Sequence, residues 1–255
     1  MSELVGIESV DGIAVLRMQR AQALNAMTRA LATAIVDAFA RVEADTDIKG
    51  VVLTGAGERA FCAGVDLEEA ATVTPDQVAP WFTGICQTYL AILATSKPVI
   101  AAINGVAAGA GFQMALVSDM RIAADTARLG QPEVNAGIPS VMGAHWMALH
   151  LPRSVNQELS FTGRLMDAAE AERLHLVRVV PEGELLDAAV AQARDLATKP
   201  PLAFARTKAR FRETALAGFD EALAAAIAGQ EATYTAGEPQ AIMQAFIEKR
   251  RSRSA

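Results

Sequence analysis

The sequence predicts an α/β body closed by a helical C-terminal part. Short apolar runs rich in β-branched residues alternate with helical patterns through the first half of the chain. From about residue 141 onward the pattern is mostly helical. The chain has 255 residues, 52% hydrophobic and 20% charged, enough for one large domain with a substantial core.

The elements follow in order. "GIAVLRM" (12–18) alternates as a strand does. Residues 28–45 place Leu31, Ile35, Ala38, Phe39 and Val42 at helical spacing, with Thr28 as the N-cap. "IKGVVLTGAG" (48–57) reads as a buried strand ending in glycines, and 75–96 as a helix with Asp76 near its start. "KPVIAAING" is a second buried strand, "GFQMALVSD" a helix and "MRIAAD" (120–125) a further strand. Beyond these, helices are expected over 167–177 with an Asp cap, over 182–199, and over 239–253 with a basic end. There is no internal repeat and no low-complexity linker.

Composition removes several classes of function. A formal charge of −6 argues against nucleic acid, which needs a concentrated basic face. Cys62 and Cys86 lie in no CxxC pattern and read as reduced thiols of a cytoplasmic protein. The first residues hold no basic segment followed by an apolar run, so no secretory signal is expected. The stretch "PVIAAINGVAAGAGFQMALVS" (98–118) is long enough to cross a bilayer. However, Pro98 and Gly105 bound a β-branched run within it, and Asn104 and Gln113 are polar. It reads as strand, turn and helix, so no membrane partner is expected.

Three turns follow apolar strands: "ERAFCAGVDLEE" (58–69), "INGVAAGAGFQMALVSD" (103–119) and "LGQPEVNAGIPS" (129–140). None contains a phosphate loop, which argues against nucleotide hydrolysis. Small residues ahead of a helix leave backbone N–H groups open to negative charge. Ala110 offers one such donor and Gly64–Val65 a second. Two donors of this kind suit a reaction that passes through an enolate. Glu133 is the only acid in a tract otherwise free of charge from 129 to 144, and is the candidate base.

Taken together, "QRAQALNAM" (19–27), "LTGAGERAFCAGVDL" (53–67), "KPVIAAINGVAAGAGFQMALVSDMRIAAD" (97–125), "GQPEVNAGIPS" (130–140), "FTGRLMDAAEAERLHLVRVV" (161–180) and "FIEKRR" (246–251) resemble the crotonase family of enoyl-CoA hydratases and isomerases. The likeness runs from about residue 5 to 250. It implies a spiral of ββα repeats over 1–195 and a helical trimerisation region over 196–255. It implies a homotrimer or a dimer of trimers, and a coenzyme A thioester as substrate with no separate cofactor or metal. The thioester oxygen would be held by the N–H groups of Val65 and Ala110. Coenzyme A would meet Arg20, Ala21, Ala23, Ala63, Asp66, Leu67 and Gly109. The lysine that often meets its phosphates is Gln22 here, leaving Arg20, Lys249 and Arg250 as replacements, the last two from a neighbouring chain.

Hydratases of this family carry two glutamates. One falls on Glu133; the other falls on Gln113. An amide orients water but does not exchange a proton usefully near neutral pH. Moving a double bond needs one carboxylate, which takes a proton from C2 and returns it at C4. The sequence therefore favours enoyl-CoA isomerisation, with hydration, another enolate lyase step or non-catalytic acyl-CoA binding as alternatives. Trp81, Phe82 and Tyr89 are expected to border the acyl pocket, and His145 is a second acid or base only if its helix turns it inward.

Overall fold

The structure is a computed structural model; it describes residues 4–254, leaving out the side chains at 250, 251, 253 and 254. The chain begins with a hairpin of β1 (Val5–Val10) and β2 (Ile13–Met18). Asp11 and Gly12 form its two-residue turn, both at positive φ, the twist that right-handed strands require. β2 then runs parallel to β3 (Gly50–Gly55), β5 (Val99–Ile103), β7 (Met120–Ala124) and β10 (Arg178–Val180). These strands form one six-stranded sheet in the order β1-β2-β3-β5-β7-β10. Both of its faces are covered, which is why the central strands β3 and β5 are buried along their whole length. Ile13, Val15, Val52, Ile100 and Ala102 pack under α8 (Leu185–Ala197). Leu16, Val51, Leu53, Val99, Ala101 and Ile103 face the main core, which includes α1 (Arg29–Ala44) and α3 (Val78–Ala94).

A second, four-stranded sheet is ordered β4-β6-β8-β9. Its strands are only three residues long: β4 (Ala60–Cys62), β6 (Val106–Ala108), β8 (Arg128–Gly130) and β9 (Leu165–Asp167). Each of the pairs β3/β4, β5/β6 and β7/β8 gives its first strand to the large sheet and its second to the small one. Helical segments follow each pair: α2 (Leu67–Ala70) with α3, then α4 (Ala110–Val117), then α5 (Val141–Met147). This is the expected ββα spiral. The later part of the chain is less purely helical than its pattern, because β9 and β10 join the two sheets around α6 (Arg153–Thr162) and α7 (Ala168–Arg173).

The chain ends in α9 (Pro201–Leu216), α10 (Phe219–Ala236) and α11 (Glu238–Ser254). Ala215, Phe219, Ala226, Tyr234 and Met243 belong to the same apolar core as the sheets. α10 packs on α5 and α3. The Tyr234 hydroxyl donates to the Ala70 carbonyl at 3.2 Å. A partly buried ion pair fixes α9, with Lys208 Nζ 2.7 Å from Asp119 Oδ2, the same oxygen that accepts the Val99 N–H. No helix among the described residues is long and apolar enough to cross a membrane.

One fully buried amide ties the first turns together. Asn25 sits at φ +53, a left-handed conformation that Asn tolerates better than most residues. Its Nδ2 donates to the carbonyls of Ala56 and Ala60 at 3.0 and 2.8 Å, and its Oδ1 accepts the Arg20 N–H at 3.0 Å. Asn25→Leu strands all three groups and should cost about 3 kcal/mol. A urea unfolding midpoint unchanged from wild type would refute this account of Asn25.

Candidate active site

Three adjacent parallel strands of the small sheet deliver the site. Val65 lies three residues beyond β4, Ala110 two beyond β6 and Glu133 three beyond β8. Carboxyl ends of parallel strands are where α/β folds gather their ligand groups. All three residues line one cavity of about 80 Å³. Its wall also includes Ala63, Leu67, Gly109 and Gln113.

The two N–H groups are left open by the backbone around them. Ala110 is the first residue of α4, so its N–H has no partner within the helix. Gly109 precedes it at φ +51, ψ −120, a conformation that glycine adopts and L-residues avoid. A Cβ there would also come within 2.5 Å of Glu133 Oε1. Gly109 thus serves both the turn and the approach of the carboxylate, and its own N–H donates to Gly130 O at 3.0 Å, joining the second turn to the third. Val65 is held from the other side: the Met27 N–H donates to Gly64 O at 2.7 Å and the Asp66 N–H to Met27 O at 2.8 Å. Neither the Val65 nor the Ala110 N–H donates to an acceptor among the described residues.

Glu133 opens a short 3-10 turn that ends at Ala136. Burial raises its pKa to about 7, against weaker opposing contributions from its own backbone N–H and from Gln113. Gln113, 5% exposed on α4, donates through Nε2 to Glu133 Oε1 at 3.4 Å and to Gln131 Oε1 at 3.2 Å. Gln131 is fully buried, and its amide fits both charge states of Glu133. Oxygen first, it is placed to accept from a protonated carboxyl. Turned end for end, it donates to both carboxylate oxygens at 2.7 Å and no longer accepts from Gln113 Nε2. Gly143 leaves room for it, since a Cβ there would lie 2.4 Å from the amide. Gln131 is the site residue that sequence reading missed; its signal was the only other long polar side chain in the buried stretch before Glu133.

The residues expected to meet coenzyme A are partly brought together. Ala63, Leu67 and Gly109 line the cavity. Ala21 and Ala23 lie on a strap over residues 20–27, bound to the Ala63–Asp66 turn through the Ala63 N–H to Leu24 O at 3.1 Å and the two Met27 bonds. Arg20 and Asp66 do not offer free side chains. They pair with each other at 2.9 Å, Arg20 also donates to Ala26 O, and Asp66 Oδ1 caps α2 through the N–H groups of Glu68 and Glu69. Arg20 therefore orders the turn rather than standing ready for a phosphate. Lys249 is exposed on α11, whereas the Arg250 side chain lies outside the described residues.

Trp81, Phe82 and Tyr89 all line the cavity, as expected. His145 does not. Its Nε2 lies 3.3 Å from Ala215 O and its ring packs on Trp146 and Phe219, so it faces α9 rather than the acid. Cys62 and Cys86 are free and buried, and burial pushes both thiols up to about 12, which keeps them inert.

Known proteins resemble this chain along most of its length. The family profile described as enoyl-CoA hydratase/isomerase matches residues 8–253. The probable enoyl-CoA hydratase echA8 of Mycobacterium bovis is 34% identical, over 97% of this chain and 96% of its own length. Carnitinyl-CoA dehydratase of Proteus mirabilis is 40% identical over 72% of this chain and 71% of its own. The crystal structure of carnitinyl-CoA hydratase from Mycobacterium avium superimposes with a TM-score of 0.83 at 30% identity, covering 98% of this chain and 97% of that one.

Proposed function

Because the chain belongs to the enoyl-CoA hydratase/isomerase family, and is thereby an acyl-CoA enzyme, we propose that it moves the double bond of an enoyl-CoA with Glu133 as its single acid and base. The observation that carries this reading is Gln113, an amide bonded to Glu133 at the position where hydratases hold a second carboxylate. The thioester oxygen accepts from the Val65 and Ala110 N–H groups, which places developing negative charge where donors already wait. Glu133 takes a proton from C2 of a 3-enoyl thioester, and the electron pair moves into the dienolate. The same carboxyl returns the proton at C4, leaving the double bond between C2 and C3. A group near pKa 7 suits both steps, since either form is available at neutral pH.

Addition or loss of water at the same enolate is the second reading. The names of the relatives favour it, being those of a hydratase and a dehydratase. Mass spectrometry of 3-enoyl, 2-enoyl and 3-hydroxyacyl thioesters separates the two. Isomerisation leaves the mass unchanged and creates a conjugated thioester; hydration adds 18 Da. Efficient hydration of crotonyl-CoA by the unmodified protein would overturn the single-base reading. The base must be ionised, so kcat/KM for isomerisation should rise with pH through about 7 on one limb.

We also propose that the chain works as a trimer or a dimer of trimers. Phe161 and Phe211 are each 74% exposed and Leu202 70%, more large apolar surface than a single chain needs to show. Light scattering should return three or six copies of the 26.8 kDa chain, and a monomeric mass at micromolar concentration would refute it.

A further inference from the structure

Five buried side-chain polar atoms lack a hydrogen-bond partner among the described residues. Three belong to residues lining the same cavity: Gln113 Oε1, Ser140 Oγ and Gln230 Oε1. A buried polar atom left unpaired is costly, so such atoms are rare and invite a ligand as their explanation. Three around one cavity are hard to assign to packing alone.

Gln113 is already engaged in the catalytic site through Nε2, which donates to Glu133 and Gln131, its Oε1 staying unpaired. Ser140 and Gln230 are not. Ser140 occupies the N-cap position of α5, where a serine hydroxyl ordinarily accepts a backbone N–H, yet its side chain makes no capping bond. Gln230 is 1% exposed on α10, and its Oε1 has no hydrogen-bond partner among the described residues. The two come from neighbouring segments: a Cβ on Gly229 would lie 3.4 Å from Pro139 Cγ, so this turn of α10 rests on the residues leading into α5. α10 packs on α3 and α5, whose residues also line the cavity wall. The rest of that wall is apolar: Trp81, Phe82, Ile85, Ile138 and Met142.

We propose that the acyl group this site accepts carries a neutral hydrogen-bonding substituent, a hydroxyl in the simplest case, held by Gln230 and Ser140. An amide and a hydroxyl together both donate and accept, which suits a hydroxyl on the ligand. Charged substituents fit poorly. No Lys, Arg or His lines the cavity to meet a carboxylate, and the one acid there, Glu133, is taken by the chemistry. Sites built around a substrate hydroxyl reject the analogue that lacks it more strongly than apolar pockets separate alkyl groups.

The inference rests on the acyl-thioester reading, and a binding experiment keeps the two apart. Calorimetry with 4-hydroxybutanoyl-CoA and pentanoyl-CoA compares a hydroxyl with a methyl of similar size, and neither saturated ester can be isomerised or hydrated. Wild type should bind the hydroxy ester at least tenfold more tightly. Gln230→Leu should remove or reverse the preference while retaining affinity for pentanoyl-CoA, and Ser140→Ala should weaken it with little effect on the fold. Equal or tighter binding of pentanoyl-CoA by wild type overturns the inference and leaves the enzyme reading standing. A preference that survives in both variants also overturns it, by placing the recognition elsewhere. Failure of wild type to bind either ester overturns both readings.

Discussion

Glu133→Gln is expected to stop turnover and to make the folded protein more stable at alkaline pH. In the single-base reading the same carboxyl removes and returns the proton, so its loss should lower kcat toward the upper end of the roughly 10²–10⁴-fold span for one acid–base group. The stability effect follows from the direction of the pKa shift. Burial raises the folded-state pKa of Glu133 from 4.5 to about 7. Below 4.5 both folded and unfolded chains hold the proton and there is no penalty. As the pH climbs from there, the unfolded chain ionises first, and the folded state loses stability until the pH passes about 7. The gap is worth at most about 3 kcal/mol, and less because Glu133 keeps some contact with the open cavity, so about 1–2 kcal/mol is expected. Urea midpoints of the two proteins should nearly coincide at pH 4.5 and separate by pH 8, the variant being the more stable. A gap that narrows with rising pH would refute the assignment of a destabilised carboxylate. Retained turnover would refute Glu133 as the base.

The parts of this molecule readable in advance are those encoded locally. α1 shows its buried residues at helical spacing, and Thr28 caps it by accepting the Leu31 N–H at 3.1 Å. β3 and β5 are buried throughout, and apolar but for Thr54 and the glycines, because the sheet is covered on both faces. The turn at Gly109–Ala110 stands out because small residues cluster there. The small sheet has no such signal in its residues, since three-residue strands are too short to display a period of two; only the family resemblance anticipated it. β1 was overlooked for a different reason. Glu8, Ser9 and Val10 are exposed, so the strand lacks an apolar run, and only the Asp11–Gly12 turn marked the hairpin.

In the site, the lone acid and the open N–H groups were visible, whereas their supports come from far along the chain. The ion pair that occupies Arg20 joins residues 46 apart, and no spacing rule reports it. Gln230 reaches the cavity from α10, about a hundred residues beyond Glu133, through the packing of α10 on α5. Such contacts are decided by tertiary packing, which a linear pattern does not carry.

Gln113→Glu asks whether one atom separates the two chemistries of this site. The new carboxylate would take a place 3.4 Å from Glu133 Oε1 and 3.2 Å from the Gln131 amide. Two carboxylates so close do not both ionise readily, and the pair is expected to share one proton across neutral pH. That is the state hydration needs: one carboxylate to take a proton from water and one carboxyl to give a proton to the α-carbon. Gln131 can serve it, because its amide is able to face either a carboxylate or a protonated acid. Crotonyl-CoA hydration should therefore rise by about tenfold to a hundredfold, a fraction of what a fully evolved second acid–base group supplies. Its pH profile should become bell-shaped, since the doubly ionised and the doubly protonated pairs are both inactive. The protein should lose about 1–3 kcal/mol of stability at pH 8, where the second proton leaves, and recover it as the pH falls. If the folded variant hydrates no faster than wild type at any pH from 5 to 9, Gln113 is not what keeps this site from hydration, and the preference for isomerisation would have to lie in how the acyl chain is held.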